Sequence, residues 1–214
     1  MKFGPFAIAA LLASVSAVPA SAAVFVDFHP GVGVVGNYTV VQDFESSNPG
    51  DDLGTNAIVF DSNASGVAAR PAFGSTGNYL AVLGGGSGVG QILAVNPQGV
   101  SSFGFVIGSV DTYNTLTLEL TDGTTIEYVG GQIINDLSFP SGNQIVGETN
   151  GFVTFTSDGA RFARFTLGSS QNAFELDNIA IAAVPEPATW AMMIGGMGLV
   201  GGTLRRRKTT VAFA

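Results

Sequence analysis

Hydrophobic and polar residues alternate with a period of two along most of the chain from Val24 to Ala182. This alternation is typical of β-strands with one buried face, because successive side chains of a strand point to opposite sides of the sheet. Turn-forming Gly, Asn, Asp, Ser and Pro separate the alternating segments. The predicted strands are VFVDF (24–28), NYTVVQDF (37–44), NAIVF (56–60), YLAVL (79–83), VGQILAV (89–95), SFGFVI (102–107), NTLTLEL (114–120), TTIEYV (124–129), GFVTFT (151–156), RFARFTL (161–167) and FELDNIAIA (174–182). Short strands at this spacing predict an all-β fold, an antiparallel β-sandwich or jelly roll.

One hairpin is predicted down to its register. In the segment 114–129, a three-residue loop at 121–123 places Gly123 where the left-handed conformation is needed. Leu118 then faces Ile126, and the apolar side chains of both strands share one face. A two-residue loop would put Glu127 among the leucines, which a buried face does not tolerate. Both Glu119 and Glu127 are therefore expected to point to solvent, and the glycine-rich run 84–90 is expected to be a loop.

Both ends of the chain break this pattern. Lys2 precedes an uncharged apolar run that continues to Val18, and Ala20-Ser21-Ala22 follows with the small residues of a cleavage site. Residues 1–22 are therefore interpreted as a secretory signal peptide, which directs the protein to export by the Sec route. Near the other end, an uncharged stretch from Ala188 to Leu204 comes before a basic cluster. This stretch predicts one C-terminal transmembrane helix, roughly 25 Å long and therefore short for a lipid bilayer.

Charge excludes one class of partner. Residues 23–183 contain three arginines as their basic residues against fifteen acidic residues, which gives a formal charge of −12. Such a surface repels nucleic acid, so nucleic-acid binding is excluded. The chain has no Cys, so the exported part folds without disulfides.

No enzyme chemistry is evident, and the prediction is a protein that is not an enzyme and needs no cofactor. His29 is the sole histidine of the chain, and residues 23–183 contain neither Cys nor Lys, so nucleophilic triads and zinc sites lack their parts. A pair of carboxylates could still cleave a glycoside. The candidates are Glu119, Glu127, Glu175 and Asp177, and all four are equally explained by solvent-facing strand positions.

Two binding sites are predicted for the exported part. Asp177 with Asn178 is the candidate metal site, with Asp51 and Asp52 as an alternative pair, because β-sandwich modules often hold a structural calcium ion with loop carboxylates and carbonyls. Tyr113, in the loop-like segment DTYN, is the candidate glycan contact, because exposed aromatic rings stack on sugars.

The C-terminal segment resembles the PEP-CTERM sorting signal of Gram-negative bacteria, in its PEPxxWA form. The matching residues are Pro185, Glu186, Pro187, Trp190, Ala191, Arg205, Arg206 and Arg207. The resemblance implies that an exosortase, a membrane-embedded protease–transpeptidase, recognises the chain and cleaves it near the Pro-Glu-Pro motif. It also implies transient anchoring in the inner membrane, then display at the cell surface or release, and an association with exopolysaccharide and biofilm.

The exported part is similar, more loosely, to a family of exosortase-dependent surface proteins over residues 77–85, 103–120 and 174–181. The expected organisation is a signal peptide at 1–22, an exported domain at 23–183, a sorting signal at 184–208 and a short extension at 209–214. The expected role is that of a non-catalytic surface or matrix protein. A carbohydrate-binding module and a polysaccharide hydrolase are the alternatives.

Overall fold

The computed structural model describes residues 23–90, 96–182 and 187–205. The predicted signal peptide at 1–22 lies outside the described residues, as do most of the strand predicted at 89–95, Pro185 and Glu186 of the sorting signal, and Arg206 and Arg207. The extension at 209–214 also lies outside them.

Ten β-strands, one 3₁₀ helix and one α-helix form in the described ranges. They are β1 (Val24–Pro30), β2 (Tyr38–Gln42), β3 (Gly54–Phe60), β4 (Tyr79–Gly90), β5 (Ser102–Ile107), β6 (Asn114–Leu120), β7 (Thr125–Val129), the 3₁₀ helix (Gly130–Ile134), β8 (Gly151–Ser157), β9 (Phe162–Ser169), β10 (Phe174–Ala182) and α1 (Pro187–Arg205). Each predicted strand whose residues are described is present, within a few residues at its ends except for β4, which extends to Gly90.

The strands form one antiparallel sheet, which confirms the all-β prediction. The strand order is β1-β8-β5-β10-β4-β9-β6-β7, with β2 paired to β10 and β3 paired to β4. The sheet is curled, so the two faces expected for a sandwich belong to one continuous hydrogen-bonded sheet. β10 lies at its centre, bonded to β4 along Phe174–Leu176 and to β5 from Leu176 onward.

The core contains the phenylalanines that the strand pattern places on inward-facing positions. Phe103 stacks on Phe155 and Phe165 at ring-centroid distances of 5.3 and 5.0 Å, and it meets Phe162 edge to face at 5.0 Å. All four rings are buried, together with leucines of β6 and β10. Aromatic pairs at these separations add to the stabilisation that burial of their area already gives.

The β6–β7 hairpin has the predicted register. Leu118 pairs with Ile126 and Leu116 with Tyr128. The loop closes through Gly123, whose φ of 86° is left-handed and whose N–H donates to the Leu120 carbonyl at 3.0 Å. Both glutamates of the hairpin lie on its solvent-facing side, where Glu119 forms an ion pair with Arg164 of β9.

The prediction of a loop at 84–90 is wrong, because these residues extend β4. Gly86 pairs with Ser169 and Gly90 with Phe165 across the β4–β9 ladder. A Cβ at Gly86 would lie 2.6 Å from the Thr55 carbonyl oxygen, closer than real Cβ atoms approach. The glycines therefore let β3 approach β4 closely, a function in strands that a turn-based interpretation of glycine overlooks.

A helix forms where the apolar C-terminal stretch predicts one. Proline at its first position, Pro187, has a fixed φ that suits a helix start and lacks an N–H that would be unpaired there. The five glycines of this helix contribute no apolar side chain, and they reduce its mean hydropathy. Within the parts of the chain that the structure describes, no helix is long and apolar enough to cross a membrane, so the predicted transmembrane helix is not found among them.

Candidate functional site

Four connections and the start of one strand line a polar cavity of about 150 Å³. They are the connections that follow β3, β5 and β9, the start of β10, and the long segment between the 3₁₀ helix and β8. The polar side chains that line the cavity are those of Ser109, Asp111, Tyr113, Gln144, Asn172 and Glu175. We call this cavity the acidic pocket.

Glu175 forms the inner wall of the acidic pocket. Its side chain is buried, with 2% of the residue exposed. Oε1 accepts a hydrogen bond from the Ala69 backbone N–H at 2.9 Å, whereas Oε2 is buried without a hydrogen-bond partner. Burial, assisted by the nearby charge of Asp111, raises the pKa of Glu175 to about 7. Removal from water disfavours the charged form of a carboxyl group, which explains this direction.

Asp111 is the second carboxylate of the acidic pocket, and hydroxyl groups hold both of its oxygens. Oδ1 accepts from the Ser141 hydroxyl at 2.8 Å, and Oδ2 accepts from the Tyr113 hydroxyl at 2.8 Å. The Tyr113 hydroxyl also lies 2.9 Å from the Asn172 carbonyl oxygen. Burial and the bond to Asp111 raise the pKa of Tyr113 well above its ordinary value, so the phenol keeps its proton.

Asn114 fixes the turn that presents Asp111 and Tyr113. It is fully buried at the start of β6, and its Oδ1 accepts from the Asp111 backbone N–H at 2.6 Å. Its Nδ2 donates to the Ser169 hydroxyl at 3.1 Å and to the Ala173 carbonyl at 3.2 Å. One side-chain amide thus connects the β5–β6 turn to both ends of the β9–β10 connection. This geometry explains why an Asn follows the Asp-Thr-Tyr triplet.

The predicted metal-site residues lie outside the acidic pocket. Asp177 is buried, and its oxygens accept from the Ser75 hydroxyl at 2.7 Å and from the Asn178 backbone N–H at 2.6 Å. Burial, together with the charges of Glu45 and Asp43, raises its pKa to about 6. The Asn178 amide donates to the Gly74 carbonyl at 2.7 Å. In the described ranges, no group of three or more His, Cys, Asp or Glu side chains is arranged to hold a metal, and calcium at Asp177 and Asn178 stays a prediction.

The prediction that Glu175 and Asp177 face solvent is wrong. Both are buried, because the connection between β3 and β4 covers the outer face of β10. The other face of β10 is buried as well, because the strand is central in the sheet. The expectation that alternate residues face solvent holds for a sheet with one exposed face and therefore does not apply to β10. Glu119 and Glu127, in contrast, lie where the hairpin register places them.

Tyr113, the predicted glycan contact, lies at the acidic pocket. Its ring is half-buried and also borders a shallow depression on the other side, next to Gly168 and Ser170. Of the other tyrosines, Tyr79 is fully buried with its hydroxyl bonded to the Ser62 carbonyl. Tyr38 and Tyr128 are half-buried, as Tyr113 is; Tyr38 packs edge to face against Phe152, and Tyr128 packs against the core.

Sequence reasoning missed Asp111 and Asn114 and misplaced Glu175. One signal was present: the segment DTYN combines an Asp, which favours turns, with an Asn at the start of a predicted strand, a pattern that favours side-chain bonds to the backbone. No local signal indicates that Glu175, far along the chain, lies against that turn.

The sorting residues follow the domain directly. β10 ends at Ala182, and α1 begins at Pro187 and contains Trp190, Ala191 and Arg205. Pro185 and Glu186 lie between these two elements in the sequence and outside the described residues, and Pro187 is the first residue of the helix.

Comparison with known proteins bears on this C-terminal segment. Residues 183–208 match the family described as the PEP-CTERM protein-sorting motif. No curated protein and no solved structure matches the chain. The match covers the sorting segment and does not extend to the β domain. The chain therefore carries a PEP-CTERM protein-sorting motif, which supports sorting of a surface protein with an exosortase as its processing partner.

Proposed function

We propose that this protein is a non-catalytic surface or extracellular-matrix protein. An exosortase cleaves it while it is transiently anchored in the inner membrane, and the released protein associates with exopolysaccharide in a biofilm. The observation that carries the proposal is the PEP-CTERM motif at 183–208. Its position supports the proposal further, because the motif starts one residue after β10 ends. Cleavage near Pro185 would thus leave every strand of the β domain intact.

The composition of the domain suits a protein that remains in a hydrated matrix. Its formal charge of −12 keeps it soluble and repels other acidic chains of its own kind. Association with a polysaccharide would then proceed through hydroxyl groups or through shared cations and not through direct charge pairing with an acidic polymer.

The sorting step is tested by replacing both Pro185 and Pro187 with Ala in the full chain, produced in an organism that has an exosortase. We expect the variant to stay uncleaved in the inner-membrane fraction, because Ala restores the backbone N–H that proline lacks and removes the restriction that proline places on the residue before it. Fractionation and mass spectrometry of the C-terminus measure this.

Thr189→Ala is the matched control, since it changes a variable position between the Pro-Glu-Pro and Trp-Ala parts of the motif. It should be processed like the wild type. Normal surface delivery of the double proline variant, with a cleaved C-terminus, would contradict the proposed sorting.

Glycan binding is the second candidate, favoured by the half-buried Tyr113 ring between two surface depressions. The Tyr113→Phe variant keeps a stacking surface and loses the hydroxyl, whereas Tyr113→Ala loses both. Retention of exopolysaccharide binding by Phe and its loss by Ala would support stacking. Equal binding by all three proteins on a glycan array would exclude Tyr113 as the contact.

A further inference from the structure

The acidic pocket has an excess of negative charge. It contains the carboxylates of Asp111 and Glu175, and none of the residues that line it is Lys, Arg or His. The ion pairs found among the described residues, Asp27 with His29 and Glu119 with Arg164, involve neither carboxylate. Buried carboxylates are normally paired with a cation or coordinate a metal, because removal of their charge from water is otherwise unfavourable.

The acidic pocket also has more hydrogen-bond acceptors than donors. Glu175 Oε2 is buried without a partner. The Tyr113 hydroxyl lies within hydrogen-bond distance of both Asp111 Oδ2 and the Asn172 carbonyl, at 2.8 and 2.9 Å. A phenol has one proton to donate, so one of these two acceptors is always left without it. A group that binds several oxygen atoms at once would satisfy all of these acceptors together.

We propose that the acidic pocket binds one hard divalent cation, with Ca²⁺ as the fitting ion, through the carboxylates of Glu175 and Asp111. The metal-ligating atoms that its side chains offer are oxygens, and neither His nor Cys lines the cavity. Oxygen ligands favour calcium over zinc or copper. The cavity of about 150 Å³ has room for an ion with bound water, because a water molecule occupies about 30 Å³. Gln144 and Ser109 supply further oxygen atoms on its wall.

The site differs from the predicted one at Asp177 in having a buried carboxylate oxygen without a hydrogen-bond partner. Both oxygens of Asp177, like those of Asp111, accept hydrogen bonds from protein groups, whereas Glu175 Oε2 accepts none. With two carboxylates, the affinity belongs to the weak class of extracellular modules, with a Kd of about 10⁻⁴ to 10⁻³ M. The acidic domain raises the local concentration of cations around the pocket.

Binding of the ion joins parts of the fold that are distant in sequence. Asp111 belongs to the β5–β6 turn and is bonded to Ser141, while Glu175 belongs to the central strand and is bonded to Ala69. An ion bound by both carboxylates would connect these segments. It would also pair with Glu175 Oε2, which has no hydrogen-bond partner among the protein groups. Calcium should therefore stabilise the folded state and leave the sorting step unaffected.

The test uses the full chain, purified in detergent and freed of metal with a chelator, and titrated with CaCl₂ by calorimetry and by melting temperature. We expect one Ca²⁺ per chain and a rise in the melting temperature. Glu175→Gln and Asp111→Asn should each raise the Kd about tenfold or more, because ligand charge sets affinity. Near-UV circular dichroism without calcium tests whether each variant is folded. If a carboxylate variant does not fold, Gln144→Ala at the rim of the pocket replaces it and should also weaken calcium binding.

Two controls have the same charge change at other sites. Glu119→Gln alters a solvent-facing carboxylate, and Asp177→Asn alters the site predicted from the sequence. Both should bind Ca²⁺ like the wild type. No calcium binding at 10 mM, about ten times the weakest expected Kd, would overturn the proposal. Loss of binding in Asp177→Asn alone, or equal weakening in all variants, would do so as well.

Discussion

The β6–β7 hairpin and the central strand β10 have the same kind of sequence and opposite surroundings. Both alternate acidic with apolar residues: Leu118-Glu119-Leu120 in one and Phe174-Glu175-Leu176 in the other. Glu119 is 40% exposed in its side chain, whereas Glu175 is 2% exposed. Alternation therefore shows which residues share a face of a strand, but it does not show whether the face with the acidic residues is exposed to solvent. That depends on what the rest of the chain places over the strand.

The pairing of the two strands explains the difference. β7 is the last strand of the sheet path, and Thr125, Glu127 and Val129 on its outer face are exposed. β10 is bonded on both sides, and the connection that contains Ala69 and Ser75 lies over its outer face. The hairpin thus behaves like a sheet with one wet side, and β10 like a strand buried on both sides.

The largest effect should come from the inner face of the hairpin. Leu118→Ala removes a fully buried side chain and should reduce the free energy of unfolding by about 4 kcal/mol, the sum of lost burial and the cavity left behind. Thr117→Ala, on the outer face of the same strand, should change it by less than about 1 kcal/mol. Denaturant unfolding measures both values. Equal losses at the two positions would show that the hairpin has no wet face.

The pH dependence of stability should distinguish the buried carboxyl from the exposed one. The pKa of Glu175 is raised from 4.5 to about 7 in the folded protein. Below pH 4.5 both states hold the proton and its contribution is fully present. As the pH rises towards 7 the unfolded state ionises first, so stability decreases. The pKa change corresponds to about 3 kcal/mol between pH 4 and 8.

The comparison of three proteins, in calcium-free buffer with a chelator, isolates this effect. Glu175→Gln has no such proton, so its stability should exceed that of the wild type by a margin that grows between pH 4 and 8. Glu119→Gln should follow the wild-type profile. Asp177 titrates in all three and is common to the comparison. Parallel profiles for wild type and Glu175→Gln would mean that water reaches the pocket freely.

The smallest effect is expected for the ion pair on the outer face. Glu119 and Arg164 are both about 40% exposed in their side chains, at 40% and 44%. A double-mutant cycle with Glu119→Gln and Arg164→Gln should give a coupling energy of about 0.2–1 kcal/mol, which decreases with added salt. A coupling above about 2 kcal/mol, insensitive to salt, would indicate that this pair is shielded from water.

The same contrast explains how far the sequence predicted the candidate site. Tyr113 was identified from the aromatic side chain in a polar segment, and the structure places it at the acidic pocket. Asp111 and Asn114 were not identified, because their roles depend on bonds to Ser141, Ser169 and Ala173, which are 30 to 59 residues away. Such contacts leave no periodic trace in the chain.

The prediction for residues 84–90 failed for a related reason. Glycine is the residue of turns, but it is also the residue that allows two backbones to approach closely. In β4 the second role applies, since Gly86 faces the Thr55 carbonyl. Which role a glycine has depends on the neighbouring strand, and β3 supplies it from elsewhere in the chain.

The sequence by itself determined the positions of the strands apart from the extension of β4 over 84–90, the register of the β6–β7 hairpin and the sorting motif at 183–208. All of these depend on residues close together in the chain, where backbone geometry and side-chain alternation act directly. Only the tertiary structure decided that β10 is central, that Glu175 is buried and that Asp111 lies in the same pocket. The physical reason is that burial and electrostatic environment are properties of the surrounding packed chain, to which distant segments contribute as much as neighbours do.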